Sequence, residues 1–386
     1  MKRILLYLLA LAPLSAFADL PPTGFYRVQN VTTGSYMTIF DNRTSSTASD
    51  IATSGHADLE AIHMLDGFEE NIAFNPATIC YIEAYGAGKY NISGQGLDLH
   101  NMTGRLFSIK EVSSSYQIYA KEESSAVSVT KYLTHPTNRY GKEPYPGIDG
   151  SNKNWNILSV DQSSSQYFGI KPEVSAAGYH WATMYAGFPF MASSSDMKIY
   201  VVKQIDYEKG CAVIEEVTNV SAQTPVLFRC SSATPSGNKL TLLAPGSEGS
   251  KGTTHLVGNY YCNDVNDVGA LYPHRNVIAY DENTMRMLGV DADGKPAFVK
   301  GSADNLVVSV VDGKLYLPAN KAYLKVDSSA PDVLKIMTEE EYITGIEQIT
   351  ASTTDDIKVI YDLQGRRVQT PSKGLYIVNG KKMIIR

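Results

Sequence analysis

A chain of 386 residues with 34 Lys and Arg against 40 Asp and Glu carries a formal charge of −6 and is long enough for two or three domains with separate cores. That mildly acidic balance argues against a nucleic-acid partner, whose phosphates demand clustered cations. No segment beyond the N-terminus approaches the roughly 18 consecutive apolar residues of a membrane-spanning helix.

Lys2 and Arg3 precede an apolar run over residues 4–14, and Ser15-Ala16-Phe17-Ala18 follows it with an A-x-A cleavage pattern. This predicts a signal peptide over residues 1–18, cut between Ala18 and Asp19, and an exported mature chain at the cell surface or beyond it. The competing reading is an N-terminal membrane anchor, for which the apolar run is short. Asp19, not cysteine, follows the cut, so the lipidated cysteine of a bacterial lipoprotein is missing. Removing Lys2 and Arg3 leaves 32 basic against 40 acidic residues, a formal charge of −8.

After the leader, short apolar or aromatic runs alternate with Ser, Thr, Asn and Gly, and 25 tyrosines crowd those runs. The pattern predicts an all-β chain. One stretch, HADLEAIHML over residues 56–65, reads instead as a short helix. Internal echoes suggest threefold pseudo-symmetry. Phe107-Ser108-Ile109 and Trp155-Asn156-Ile157 each precede a Ser-Ser-Ser run, and Tyr36, Tyr90 and Tyr132 recur in similar company at intervals of 54 and 42 residues. Phe25-Tyr26-Arg27-Val28-Gln29-Asn30, followed by Thr33-Gly34-Ser35-Tyr36-Met37-Thr38, resembles the opening of a ricin-type β-trefoil repeat. The resemblance implies a β-trefoil-like domain over residues 19–172, with six strands closing a barrel and three hairpins capping it.

Residues 173–337 predict a β-sandwich-like module, with strands in 179–192, 199–202, 211–217, 226–228 and 240–243. Asp293-Gly294 and Asp312-Gly313 mark hairpin turns there. The stretches 221–227 and 317–324 resemble a β-module common in secreted multi-module proteins of the Bacteroidota. Glu339-Glu340-Glu341 and the Thr, Ser and Asp that follow predict an acidic, solvated linker over residues 338–356. Residues 357–386 predict a small hairpin unit turned at Asn379-Gly380. This ending resembles the C-terminal sorting domain of type IX secretion, carried by Gly374, Tyr376, Lys381 and Lys382. The resemblance implies that a secretion apparatus reads the tail, against the plainer reading of a structural terminal unit.

Chemistry is sparse. H-E-x-x-H, G-x-S-x-G and P-loop patterns are absent. Ser195-Asp196-Met197-Lys198 and Ser236-Gly237-Asn238-Lys239 match S-x-x-K at the level chance gives in a Ser-rich chain. On a helix, His56, Glu60 and His63 would share a face suited to zinc, against which His63 between Ile62 and Met64 reads as a packed residue. No cofactor or metal is expected. Cys80, Cys211, Cys230 and Cys262 show no C-x-x-C. Cys211 with Cys230 is the disulfide to test first, with buried free thiols the alternative.

Ricin-type sugar sites carry an Asp where this chain has Thr38 and Thr134, and the Q-x-W signature is absent. Ligand candidates are therefore aromatic: Tyr140 and Tyr145 in the loop YGKEPYP, and Trp181. The sequence reading is an exported, noncatalytic binding protein for a glycan or host surface protein. An enzyme with an unrecognised site and a trefoil-type protease inhibitor are the alternatives.

Overall fold

The structure is a computed structural model that describes residues 21–39, 62–95, 97–98, 106–123, 128–134, 145–146, 152–247, 249, 254–260, 278–310, 312–344, 360–363, 365–368, 371–378 and 381–385. It is an all-β fold of several sheets. The first sheet holds β1 (Gly24–Asn30), β2 (Tyr36–Ile39), β3 (Ile62–Leu65), β4 (Cys80–Gly86), β5 (Lys89–Gly94), β6 (Leu97–Asp98), β7 (Phe107–Val112), β8 (Ser115–Glu123), β9 (Ser128–Tyr132), β10 (Tyr145–Pro146) and β11 (Trp155–Ser159). Pairing runs from β1 through β4, β5, β7, β8 and β11 and returns to β1. Six strands therefore close a ring, which leaves no free edge around it.

The ring follows from a two-residue alternation. Tyr26 and Val28, Tyr90 and Ile92, and Tyr116 and Ile118 open β1, β5 and β8; Cys80 and Ile82, Phe107 and Ile109, and Trp155 and Ile157 open β4, β7 and β11. Residues two apart on a strand share a face, and this face forms the inner core, with Val28, Ile82, Ile118 and Trp155 all fully buried. The Trp155 indole N–H donates to the Leu133 carbonyl at 2.9 Å. The remaining strands hang from the ring: β2 with β3, β6 on β5, and β9 with β10. Phe107 and Trp155 occupy corresponding ring strands, but the echo of Tyr36, Tyr90 and Tyr132 is out of phase. Tyr90 lies in the ring whereas Tyr36 and Tyr132 lie on the hanging strands. The tyrosines in phase are Tyr26, Tyr90 and Tyr116.

The helix expected over residues 56–65 is corrected for its last four residues. They form β3, paired antiparallel with β2 from Tyr36–Leu65 to Ile39–Ile62, and Met64 packs on the ring core. A short apolar run has no decisive period of its own, so pairing and burial override helix propensity. His63 is thus on a strand, while His56 and Glu60 lie outside the described residues. Behind β3 the chain is pinned by Arg27. Its guanidinium donates to Thr78 Oγ1 (3.1 Å), the Gln166 carbonyl (2.7 Å) and the Ile72 carbonyl (3.4 Å) and lies 5.2 Å from the Phe68 ring centre.

The second region contains β12 (Phe168–Gly169), β13 (Val174–Ala176), β14 (Tyr179–Met184), β15 (Phe190–Ala192), β16 (Lys198–Asp206), β17 (Cys211–Val217), β18 (Asn219–Val220), β19 (Val226–Cys230), β20 (Lys239–Leu242), β21 (Leu256–Gly258), β22 (Met285–Val290), β23 (Pro296–Val299), β24 (Val307–Val308), β25 (Leu315–Tyr316), β26 (Ala322–Lys325) and β27 (Val333–Thr338). A ten-stranded sheet runs β13-β14-β19-β16-β17-β27-β23-β22-β26-β21, with β17 and β27 parallel. A four-stranded sheet, β12-β20-β15-β18, covers one face of it: Phe168, Phe190, Val220 and Leu240 meet Met184, Ile199, Val201 and Phe228. On the opposite face Trp181, Tyr200, Val202 and Leu227 meet Leu288, Phe298, Leu324 and Leu334. Covering both faces explains why β16 reads Ile199-Tyr200-Val201-Val202 without a polar interruption. Two glycines make the expected D-G turns, Gly294 at φ 76° between β22 and β23 and Gly313 at φ 69° before β25.

The two regions share core. Phe25 and Ile79 reach the cluster around Phe188, whose ring lies 6.0 Å from that of Phe25. A buried chain of amides crosses the boundary, with Gln95 Nε2 donating to Asn320 Oδ1 (2.6 Å) and Asn320 Nδ2 to Asn75 Oδ1 (2.9 Å).

Two further expectations are corrected. Residues 339–344 of the anticipated linker form helix α1 (Glu339–Thr344). Thr338 and Glu341 cap each other, the Thr338 N–H reaching Glu341 Oε2 at 2.7 Å and the Glu341 N–H reaching Thr338 Oγ1 at 3.3 Å. Tyr342 donates to Asp206 at 2.9 Å and Lys209 lies 3.9 Å from its ring centre, so the helix is strapped to the β16–β17 end. The Cys211–Cys230 disulfide does not form: Cys80, Cys211 and Cys230 are buried free thiols. Cys211 pairs with Asp206 at one end of β16, whereas Cys230 follows Arg229, the partner of Lys198 at the other end. That separation is about 25 Å at ~3.3 Å per residue, far beyond the ~7 Å limit between bridged Cα atoms.

The C-terminal unit is a three-stranded antiparallel sheet of β28 (Ile360–Tyr361), β29 (Gly374–Val378) and β30 (Lys381–Ile385). Gly374 and Tyr376 stand on β29 opposite Ile385 and Met383, and Lys381 and Lys382 on β30 face Val378 and Ile377.

Candidate functional site

The inward alternation of the ring strands leaves a second set of residues facing out. On β1, β4 and β5 these are Phe25, Tyr81 and Glu83, and Asn91 and Ser93. Register lines them up across strands: Phe25 opposite Tyr81, Tyr81 opposite Ser93, Glu83 opposite Asn91, and Ser93 opposite Asp98 of β6. The Phe25 and Tyr81 rings lie 5.0 Å apart at 55°, making a tilted aromatic pair. Beside it runs a fence of carboxylates, an amide and a hydroxyl.

Residues 187–189, from the β14–β15 connection, together with Ala222, Pro245 and Gly246, form the opposite wall of a cleft of about 380 Å³. This lies in the range of small-ligand sites, which favour the boundary between two regions. Gln95 closes its inner end. The residue is fully buried and held at φ 50°, its Nε2 committed to Asn320, while Oε1 has no hydrogen-bond partner. A buried amide oxygen left without a donor costs roughly 1–3 kcal/mol. Burial first, and the Glu83 carboxylate second, raise the Tyr81 phenol above its ordinary range, so it remains a hydroxyl donor at neutral pH. No cation lines the cleft among the described residues. Acceptors dominate it, and they suit ligands that are neutral and rich in hydroxyl groups.

The sequence candidates lie elsewhere. Trp181 is 6% exposed, packed in the second region with its indole N–H donating to the Ala176 carbonyl at 3.2 Å. It is a wall residue of the interior, not a surface platform. Tyr145 is on β10, with its backbone opposite Tyr132. Tyr140, Ala18 and Asp19 lie outside the described residues. Trp181 and Tyr145 therefore belong to different regions and form no common site. The cleft residues escaped notice because neither YIE nor NIS is a motif. The one sequence feature that could have placed them side by side, and was not read, is the turn-forming Gly86-Ala87-Gly88 between them.

Among the described residues no three His, Cys, Asp or Glu side chains gather closely enough to hold a metal ion, and no helix is long and apolar enough to cross a membrane. No protein-family model matches the chain, and neither a curated protein nor a solved structure matches it.

Proposed function

We propose that the protein is an exported, noncatalytic binding protein that takes a neutral glycan in the cleft between the ring and the second region. One observation carries the reading: an aromatic pair and the acceptor-rich fence beside it form one wall of a ligand-sized space that is also lined by Gln95, whose Oε1 is buried without a partner. Aromatic faces stack on the C–H faces of sugar rings, and carboxylate and amide oxygens accept from the hydroxyls at their rims. Two carboxylates, Glu83 and Asp98, with no cation among the described lining residues disfavour anionic saccharides. In this reading residues 19–172 form a β-trefoil-like unit that presents one cleft wall. The leader ending at Ala18 directs export, and the terminal sheet bearing Gly374, Tyr376, Lys381 and Lys382 serves as a sorting address.

The test is a glycan array with the full-length protein and with Tyr81→Ala, whose fold is checked by circular dichroism. The expected result is binding to a narrow set of neutral glycans, weakened roughly tenfold in the variant, a loss of about 1.4 kcal/mol. Binding that Tyr81→Ala leaves unchanged rules out the cleft. Release of shortened glycan products would reassign Glu83 and Asp98 to catalysis.

A further inference from the structure

A second cavity, about 130 Å³, is lined by residues of β14, β16, β17, β19, the β22–β23 turn, β27 and α1. It is independent of the cleft. Its apolar walls include Trp181, Ile214, Ile336 and Pro296, and among the charged side chains that line it are Arg229 and Asp291, of opposite sign.

Arg229 is half-buried on β19 with its guanidinium 4.6 Å from the Tyr179 ring centre and 6.0 Å from that of Tyr200. Aromatic faces attract the charge but satisfy none of its N–H donors in the plane of the fork. The side chain forms no hydrogen bond or ion pair with any described residue, and its Nε is shielded from solvent without a partner. Asp291, at the β22–β23 turn, shows the same condition on one oxygen. Oδ1 accepts from the N–H groups of Asp293 and Lys295 at 2.9 Å each, while Oδ2 is buried and unpartnered. The other charged groups on the cavity are Lys295, Lys335 and Glu341, each with a partner of its own.

A guanidinium and a carboxylate that line one cavity without bonding each other would ordinarily be expected to pair or be hydrated, since a buried polar group without a partner is costly. A single bridging water needs roughly 10–15 Å³, about a tenth of the space present. What matches two opposite, mutually unpaired charges on one cavity with apolar walls is a molecule carrying both complementary charges and an apolar body.

We propose that this cavity binds a free α-amino acid with an apolar side chain. Its carboxylate meets the Arg229 fork, its ammonium meets Asp291 Oδ2, and its side chain lies against Trp181, Ile214 and Ile336. Helix α1 borders the cavity through Glu341, and its cap residue Thr338 lines it too, so occupancy also tightens the strap that holds residues 339–344.

Isothermal titration of the full-length protein with L-leucine tests this. Two analogues, each lacking one charge, run in parallel: 4-methylpentanoate and 3-methylbutylamine. L-leucine should bind, and each analogue at least tenfold more weakly. Arg229→Gln should erase the advantage of leucine over the amine. Asp291→Asn keeps the Oδ1 carbonyl that holds the turn, so it remains folded if Arg229→Gln does not, and it should erase the advantage of leucine over the acid. No heat from L-leucine or L-phenylalanine up to about 1 mM, equal affinity for all three leucine-shaped probes, or leucine binding untouched by Asp291→Asn overturns the proposal.

Discussion

The ring of β1, β4, β5, β7, β8 and β11 and the three strands β14, β19 and β16 solve the same problem in opposite ways. A ring strand turns one face into the ring core, so every second residue points out of it, towards solvent or the neighbouring region. β14, β19 and β16 are covered by the four-stranded sheet on one side and by the curled continuation of their own sheet on the other. The difference shapes each candidate site. In the ring, the released residues line up across strands and make an open, acceptor-rich face. In the doubly covered sheet, Arg229 ends in a cavity between aromatic rings. One region presents polar groups and the other confines them.

The largest effects should come from an alanine scan along one strand of each kind, read by urea denaturation. In β16, Val201→Ala and Val202→Ala point to opposite faces and both sides are core, so each should cost about 2 kcal/mol. In β8 the cost should alternate, with Ile118→Ala losing about 2–5 kcal/mol and Lys121→Ala staying within about 0.5 kcal/mol. Equal neighbouring costs in β8 would break the comparison.

The buried thiols sharpen it further. Burial pushes Cys80 in the ring and Cys230 in the doubly covered sheet up to about 12, from 9.0. Both stay protonated in the folded chain and ionise first in the unfolded one. Their contribution is therefore complete below pH 9 and is lost as pH rises from 9 towards 12. Urea midpoints measured from pH 8 to 11 should fall across that window, and Cys80→Ala should flatten the fall. Because Phe25 and Ile79 bind the ring to the neighbouring core, a thiol reagent at pH 8 should label both cysteines at one shared rate. Faster labelling of Cys80 would mean that the ring opens alone.

The smallest expected effect concerns α1. Thr338→Ala removes the reciprocal cap with Glu341 and should cost about 1 kcal/mol. It should also raise hydrogen exchange over residues 339–344 while leaving the ring unchanged.

Much of this was legible in the chain. Short Tyr-rich runs between turn residues specified strands, and Asp293-Gly294 and Asp312-Gly313 specified their reversals, because alternation and turn dihedrals depend on a few consecutive residues. Ile199-Tyr200-Val201-Val202 was legible as a strand, and its burial on both faces came only with the two layers packed against it. What lay beyond the sequence was everything set by partners distant along it. Residues 62–65 became a strand because β2 offered its hydrogen bonds, and Glu339-Glu340-Glu341 became a helix because Thr338 and Asp206 held its two ends. Cys211 and Cys230 are close in sequence but far apart in space because β16 runs between them. Tyr81, Glu83, Asn91 and Ser93 became a site only when register set two ordinary strands side by side, and Arg229 became a binding group only when tertiary packing enclosed it. Local chain chemistry chose the strands; long-range pairing, with no signature within a few residues, decided which side chains meet.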